Sequence, residues 1–320
     1  MTAKEEKALK FLRNISPHLY RFDYNDVKPW LIDHLGRVPI PHFKDNKLRR
    51  FKEGKYYRDP TELYRAVENF TYSPKSTIKF PYKEIERVSH VPLNKQHIVK
   101  DYGRCNLPSE AKFYCSNFYP TACLECLTNG FVKDITESKT VTMSTWKIKE
   151  PLVLAEVMFS KDKLNNLKGF DPGRYEEQIK YADDWYNNML ITFQKDTESS
   201  YSNDYSIEVL KIFSDEFGKI NIESGRDYIL SNYYCESIFN HTFLGESKIQ
   251  IDGIIYPSVK FNYKEYNVVI HPRAMNKLSF AYATQVLVHY DSNKKGISYQ
   301  PLETGYNDGQ GGIKWNIFNY

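Results

Sequence analysis

The sequence predicts an α+β fold, and three observations carry that expectation. Helical periodicities and short apolar strand patterns follow one another in irregular order, without the steady βαβ alternation of a doubly wound sheet. The chain has 320 residues, 41% of them hydrophobic, enough to bury a sizeable core in one large domain or two modest ones. Charged residues make up 26%, an ordinary share for a globular protein.

Taken in order, residues 2–14 read as a helix: Thr2 and Glu5 have capping-box spacing, and Ala8, Leu9, Phe11 and Leu12 form an apolar face. Residues 15–80 are rich in Pro, Tyr and charge, with one helix expected near Pro60–Val67. From about residue 84 the texture changes to short strands and turns. Lys112–Cys115 reads as a strand and Pro120–Leu127 as a helix. Thr140–Trp146 and Leu152–Met158 read as strands. Helices are expected over Tyr175–Phe193, Ser206–Phe217 and Arg226–Phe239, with Gly218 as a stop signal. Ile249–Tyr256, Asn267–Ile270 and Phe280–His289 read as strands, the middle one buried. Residues 1–79 therefore read as a partly helical N-terminal extension, 80–275 as the main domain, and 276–320 as a C-terminal strand and tail packed on it.

The net charge of +4, from 44 basic and 40 acidic residues, is too mild to announce nucleic acid. The densest basic run, Lys44–Arg58, is interrupted by Asp45 and Glu53 and reads as solvated surface, with a patch for RNA, DNA or phosphate as the alternative. No stretch approaches 18 apolar residues and the N-terminus lacks an apolar signal core, so a cytoplasmic protein without a membrane span is expected. Five cysteines fit free thiols in a reducing compartment. Cys123 and Cys126 have C-x-x-C spacing but lack a second pair, so no metal is expected. The 26 Tyr fit half-buried strands, a pocket for a flat ligand, or codon bias. Gly309, Gly311 and Gly312 read as a turn.

Two constellations carry chemistry. In the first, Gly103 and Arg104 precede a turn made by Asn106 and Pro108, Tyr114 lies near the end of a strand, and a helix opened by Pro120 and Thr121 presents Glu125. An arginine fork suits a pyrophosphate, a tyrosine suits a flat heterocycle, and a carboxylate suits a ribose hydroxyl or the cation formed as a glycosidic bond breaks. In the second, Ile254 and Ile255 read as strand, Pro257 breaks it, and Ser258 is expected exposed at the break beside Tyr256. Purely structural alternatives stand beside these: Arg104 bracing its turn, Arg104 pairing with a buried Glu125, and Ser258 in an ordinary Pro-Ser turn. Arg65 and Arg87, upstream, read as exposed surface or as extra phosphate contacts.

The first constellation, Gly103-Arg104-x-Asn106-x-Pro108, Phe113-Tyr114 and Thr121-Ala122-x-x-Glu125, resembles one signature of the RES-domain family. Asp252 to Val259, followed by Asn267-Val268-Val269 and Pro272, resembles the other, with Asp227–Ser231 and Ile238-Phe239 between them. The likeness covers roughly residues 80–275. The family usually has glycine after the turn proline, where this chain has Ser109. The resemblance implies an ADP-ribosyltransferase-like fold, with small mixed sheets flanked by helices. It also implies cleavage of NAD+ at the nicotinamide–ribose bond, with phosphate or water as acceptor, in a toxin that depletes NAD+. Arg104 would then bind pyrophosphate or incoming phosphate, and Tyr114 would pack on the nicotinamide or its ribose. Glu125 would stabilise the oxocarbenium-like transition state. Ser258 would orient substrate, with Asn106 and Tyr256 as further contacts. NAD+ is substrate here and no cofactor is implied; an Xre-like antitoxin and a homodimer are family expectations. Transfer of ADP-ribose to a macromolecule and non-catalytic binding of NAD+ or ADP-ribose are the competing readings, with partner docking through the extension a third.

Overall fold

The computed structural model describes residues 1–35, 62–69, 81–127, 135–168, 172–195, 201–220, 222–240, 242–243, 249–260, 265–293 and 296–317. In chain order the elements are α1 (Ala3–Ile15), α2 (Tyr24–Leu35), β1 (Glu62–Glu68), β2 (Phe113–Ser116), α3 (Tyr119–Cys126), β3 (Glu137–Ile148) and β4 (Leu154–Glu156). Next come α4 (Lys161–Lys168), α5 (Pro172–Lys195), α6 (Asn203–Phe217) and α7 (Ile229–Asn240). The chain ends with β5 (Thr242–Phe243), β6 (Ile249–Gln250), β7 (Gly253–Pro257), β8 (Tyr266–Ile270), β9 (Leu278–Asp291), β10 (Gly296–Asn307) and β11 (Ile313–Ile317). The fold is α+β. The chain divides into two compact units, each assembled from three stretches. The first holds Met1–Arg50, Val99–Glu110 and Val153–Val259; the second holds Phe51–Ile98, Ala111–Leu152 and Lys260–Tyr320. The boundaries read from the sequence, after residues 79 and 275, both fall inside the second unit.

The first unit is helical around one short parallel pair. α1 begins where Thr2 and Glu5 close a capping box: Thr2 N donates to Glu5 Oε2 at 2.5 Å and Glu5 N donates to Thr2 Oγ1 at 3.3 Å. Its apolar face, Ala8, Leu9 and Leu12, is buried. α6 starts at Ser202, whose hydroxyl accepts from Tyr205 N at 3.3 Å, and packs against α1, α5 and α7. Phe213 of α6 stacks on Tyr234 of α7 with ring centroids 4.6 Å apart. α6 stops at Gly218, but space rather than φ selects the glycine. A Cβ there would lie 2.7 Å from the Phe159 ring.

β4 and β7 pair in parallel, with Ala155 opposite Ile254, and both strands are buried throughout. The single strand expected over Ile249–Tyr256 is split into β6 and β7. Asp252 causes the break: its N–H donates to Val153 O at 2.7 Å and its carboxylate accepts from Val153 N at 2.7 Å. The helix expected over Arg226–Phe239 opens as a 3₁₀ turn, Gly225–Tyr228, before α7.

In the second unit seven strands pair antiparallel in the order β11-β10-β9-β3-β1-β2-β8. α3 covers one face. Cys123 and Leu127 pack there with Val141, Met143, Val286 and Val288. On the other face Val88 packs with Ala283 and Ile313. β1 corrects the helix expected near Pro60–Val67. Leu63, Ala66 and Val67 fit helical spacing, but all seven residues Glu62–Glu68 pair with β3. Pro60 and the basic run Lys44–Arg58 lie outside the described residues. The glycines of the β10–β11 connection do form a turn, in which Asp308 Oδ1 accepts from Gln310 N and Gly312 N, and Gly309 and Gly311 have φ of +83° and +86°.

The stretch Val99–Glu110 of the first unit is built from tight turns. Gly103 N donates to Asn106 O at 3.0 Å and Ser109 N to Val99 O at 2.8 Å. Ser109 has φ of +64°, the one non-glycine among the described residues in the left-handed region. A serine there is strained where a glycine is not. Ser109→Gly is therefore expected to stabilise the protein by about 1 kcal/mol, read as a higher urea midpoint at unchanged slope.

Candidate functional site

The site residues read from the sequence divide between the two units. Arg104, Asn106, Tyr256 and Ser258 belong to the first, Tyr114 and Glu125 to the second.

Within the first unit, Arg104 sits in the Gly103–Asn106 turn. Asn106 is buried, its Nδ2 donating to Asp101 O and Leu107 O at 3.2 Å each, and Asn232 Nδ2 donates to Gly103 O at 2.7 Å. This clamped turn aims the Arg104 guanidinium at the C-terminal end of α6. Nη1 donates to Phe217 O at 2.7 Å and lies 3.5 Å from Glu216 O; Nη2 donates to Lys219 O at 2.9 Å. The last carbonyls of a helix lack intrahelical donors, so a planar cation there both caps them and meets the negative end of the helix dipole. Arg104 also lies over the Tyr228 ring, 5.0 Å from its centroid. Tyr256 meets the same helix end, its ring 5.1 Å from that of Phe217. Ser258 follows β7 and is fully buried, not exposed as expected, because the backbone stays inside the unit through Pro257.

A separate cleft of about 610 Å3 opens in this unit between α1, α4 and α6. None of the candidate residues lines it, and its cations are matched: Arg13 with Glu208 at 2.7 Å and Lys163 with Asp215 at 3.1 Å.

In the second unit, Pro120 in the first turn of α3 sets the helix that presents Glu125. Glu125 Oε1 accepts from Nδ2 of Asn267, on β8, at 2.8 Å, while the Arg104 guanidinium serves α6. Asn267 stands opposite Ser116, and strand alternation puts Tyr114 on the same face as Ser116. Glu125, Asn267 and Tyr114 thus belong to the α3 side of the sheet. Glu125 and Tyr114 are half-buried.

Arg65, expected at the surface, is instead in the middle of β1. Ser144 is directly opposite it on β3, and its guanidinium lies over the Phe113 ring at 5.6 Å. Nη1 donates to Tyr114 O at 3.0 Å. Nε is sealed from solvent without a hydrogen-bond partner, and among the described residues no carboxylate pairs with this cation. Burial pulls its pKa down from the usual arginine value, countered by the nearby Cys115, Cys126 and Tyr114 groups. His90 lies in its field: burial and then the Arg65 charge lower the His90 pKa. Burial raises those of Cys115 and Cys126. Arg87, by contrast, is exposed, over the Tyr82 ring. The signal for Arg65 in the sequence is a cation between Tyr64 and Ala66 in a run that also reads as strand.

No protein-family model matches the chain, and neither a curated protein nor a solved structure does. All five cysteines are free thiols, four of them buried. Among the described residues, no helix is long and apolar enough to cross a membrane.

Because Arg104 caps α6, Arg104→Ala is expected to lower unfolding free energy by about 2 kcal/mol, measured by chemical denaturation. An arginine held only for substrate would leave that value unchanged.

Proposed function

We propose that this protein cleaves NAD+ at the nicotinamide–ribose bond. The reading is supported above all by Glu125. It is a half-buried carboxylate in the last turn of α3, oriented by Asn267 and on the same sheet face as Tyr114. The nicotinamide of NAD+ is already cationic, so it departs without a general acid. The protein's task is to stabilise positive charge growing on the ribose and to hold the acceptor in place. Glu125 supplies the negative charge and can hold a ribose hydroxyl. Tyr114 offers an aromatic face to the ring that leaves. Water or phosphate then forms the new bond at the ribose carbon, and the acceptor's proton passes to solvent.

The order of motifs that resembles the RES-domain family supports the same chemistry, and with it an ADP-ribosyltransferase-like arrangement and a role in depleting NAD+. One role falls away in this reading: Arg104 maintains the end of α6, its fork taken up by the carbonyls of Phe217 and Lys219. Tyr256 and Ser258, buried at the end of β7, serve to shape the first unit.

Incubating the purified chain with NAD+, with and without inorganic phosphate, should release nicotinamide and leave ADP-ribose or its phosphorylated product. Glu125→Gln should slow release by about 100-fold or more while circular dichroism stays native. Absence of nicotinamide in both conditions defeats the proposal. Label from NAD+ appearing on a macromolecule favours transfer, and binding without turnover favours a sensor.

A further inference from the structure

We infer that His90 is the second half of a phosphoryl-binding site with Arg65, and that it makes binding there tighten as pH falls. The inference rests on Arg65 as an anion anchor and not on cleavage of NAD+.

The placement follows from the strands. Arg65 and Ser144 stand opposite each other on β1 and β3, so their side chains share a face. The Ser144 hydroxyl is 2.9 Å from Val88 O and 3.2 Å from Arg65 O. It therefore pins the end of the 3₁₀ turn Ile85–Val88 to the strand at Arg65. His90 follows two residues later and is half-buried. Ser89 Oγ lies 3.3 Å from His90 Nδ1, and among the described residues Nε2 meets no protein partner.

The chemistry left over on the two side chains is complementary to a phosphoryl group. Arg65 spends Nη1 on the Tyr114 carbonyl. Nη2 is neither bonded nor sealed, and the orphaned Nε lies beside it. Nη2 is the reachable donor and can bond one oxyanion. Burying a guanidinium with no counter-charge is costly, and an oxyanion at Nη2 offsets that cost. His90 Nε2 can offer a further donor.

The pH dependence follows from what surrounds His90. Arg65 is the charge that acts on it from β1, and the neighbours of Arg65 on that face, Ser144 of β3 and Phe113 of β2, are neutral. Of the charges on its own turn, Glu86 is paired with Lys95 at 2.5 Å and Arg87 lies over Tyr82. With the site empty, burial and Arg65 keep the His90 pKa below the ordinary histidine value. A bound dianion offsets Arg65 and raises it. Proton uptake then accompanies binding, so affinity grows as pH falls through the bound-state pKa and levels off below the free-state one.

Titration calorimetry of the full chain with sulfate, whose charge is constant between about pH 5 and about pH 8, tests this. Wild type should bind about tenfold more tightly at the lower pH. His90→Gln should keep the affinity of wild type at high pH and show none of the gain. Arg65→Gln, with its fold checked by circular dichroism, should lose sulfate at both pH values; Arg65→Lys should weaken it and keep the pH trend. A pH gain that survives in His90→Gln, native affinity in Arg65→Gln, or no sulfate binding by wild type overturns the inference. Inorganic phosphate that competes with NAD+ identifies the site with the dinucleotide's phosphates. Phosphate that binds alongside NAD+ identifies it with an acceptor. Loss of nicotinamide release alone leaves this binding result untouched, so the two proposals fail separately.

Discussion

β1 is the strand on which the second unit depends. It shares seven residue pairs with β3 on one side and a single pair, Tyr64 with Ser116, with β2 on the other. The seven-pair ladder holds the strand regardless of what its side chains prefer. Leu63 and Tyr64 accept that position readily. Arg65 does not, because the pleat points its guanidinium over Phe113 and seals its Nε from water. The backbone pairing therefore imposes a cost on one side chain, and that cost is what marks the place as more than framework.

The two arginines that stand out in the sequence end in contrary situations. Arg104 lies in the stronger motif, yet its fork is occupied by the carbonyls that close α6. Arg65 lies outside both motifs, in a stretch that reads as helix, and keeps unused donors. A motif specifies which residues recur together in chain order. It does not specify whether a guanidinium finds protein oxygens first. Here the deciding neighbours, Phe217 and Lys219, lie more than a hundred residues along the chain, where local spacing carries no information about them.

Much of the fold was nevertheless legible. α1, α3, α5, α6 and the strands β2, β3, β8 and β9 follow from periodicity and caps, since each has an apolar face that only one secondary structure keeps together. β1 reads as helix in the sequence because apolar groups three and four apart satisfy a helix as well as a strand, and only the partner strand decides. The split between β6 and β7 depended on Asp252 reaching Val153, a contact invisible to a window on the sequence. In the site, Tyr114 and Glu125 fell on the elements expected, while the partner of Glu125 did not. Asn267 was visible as part of a motif, but its bond to Glu125 follows from the order of β2 and β8 in the sheet.

The way each unit is assembled has a consequence for how the chain comes to be folded. The polypeptide passes from one unit to the other five times, and the second unit cannot close its sheet until its last stretch exists. β3 finds β9 with Val141 opposite Val286, so the central ladder joins residues from distant parts of the chain. Loop closure of that span precedes any reward from pairing, which makes this a slow ladder to nucleate. During synthesis β1 and β3 emerge long before β9 does, and their apolar edge must wait for its partner. A nascent chain of this kind exposes unpaired strand until β9 has been made, a window in which aggregation competes with folding.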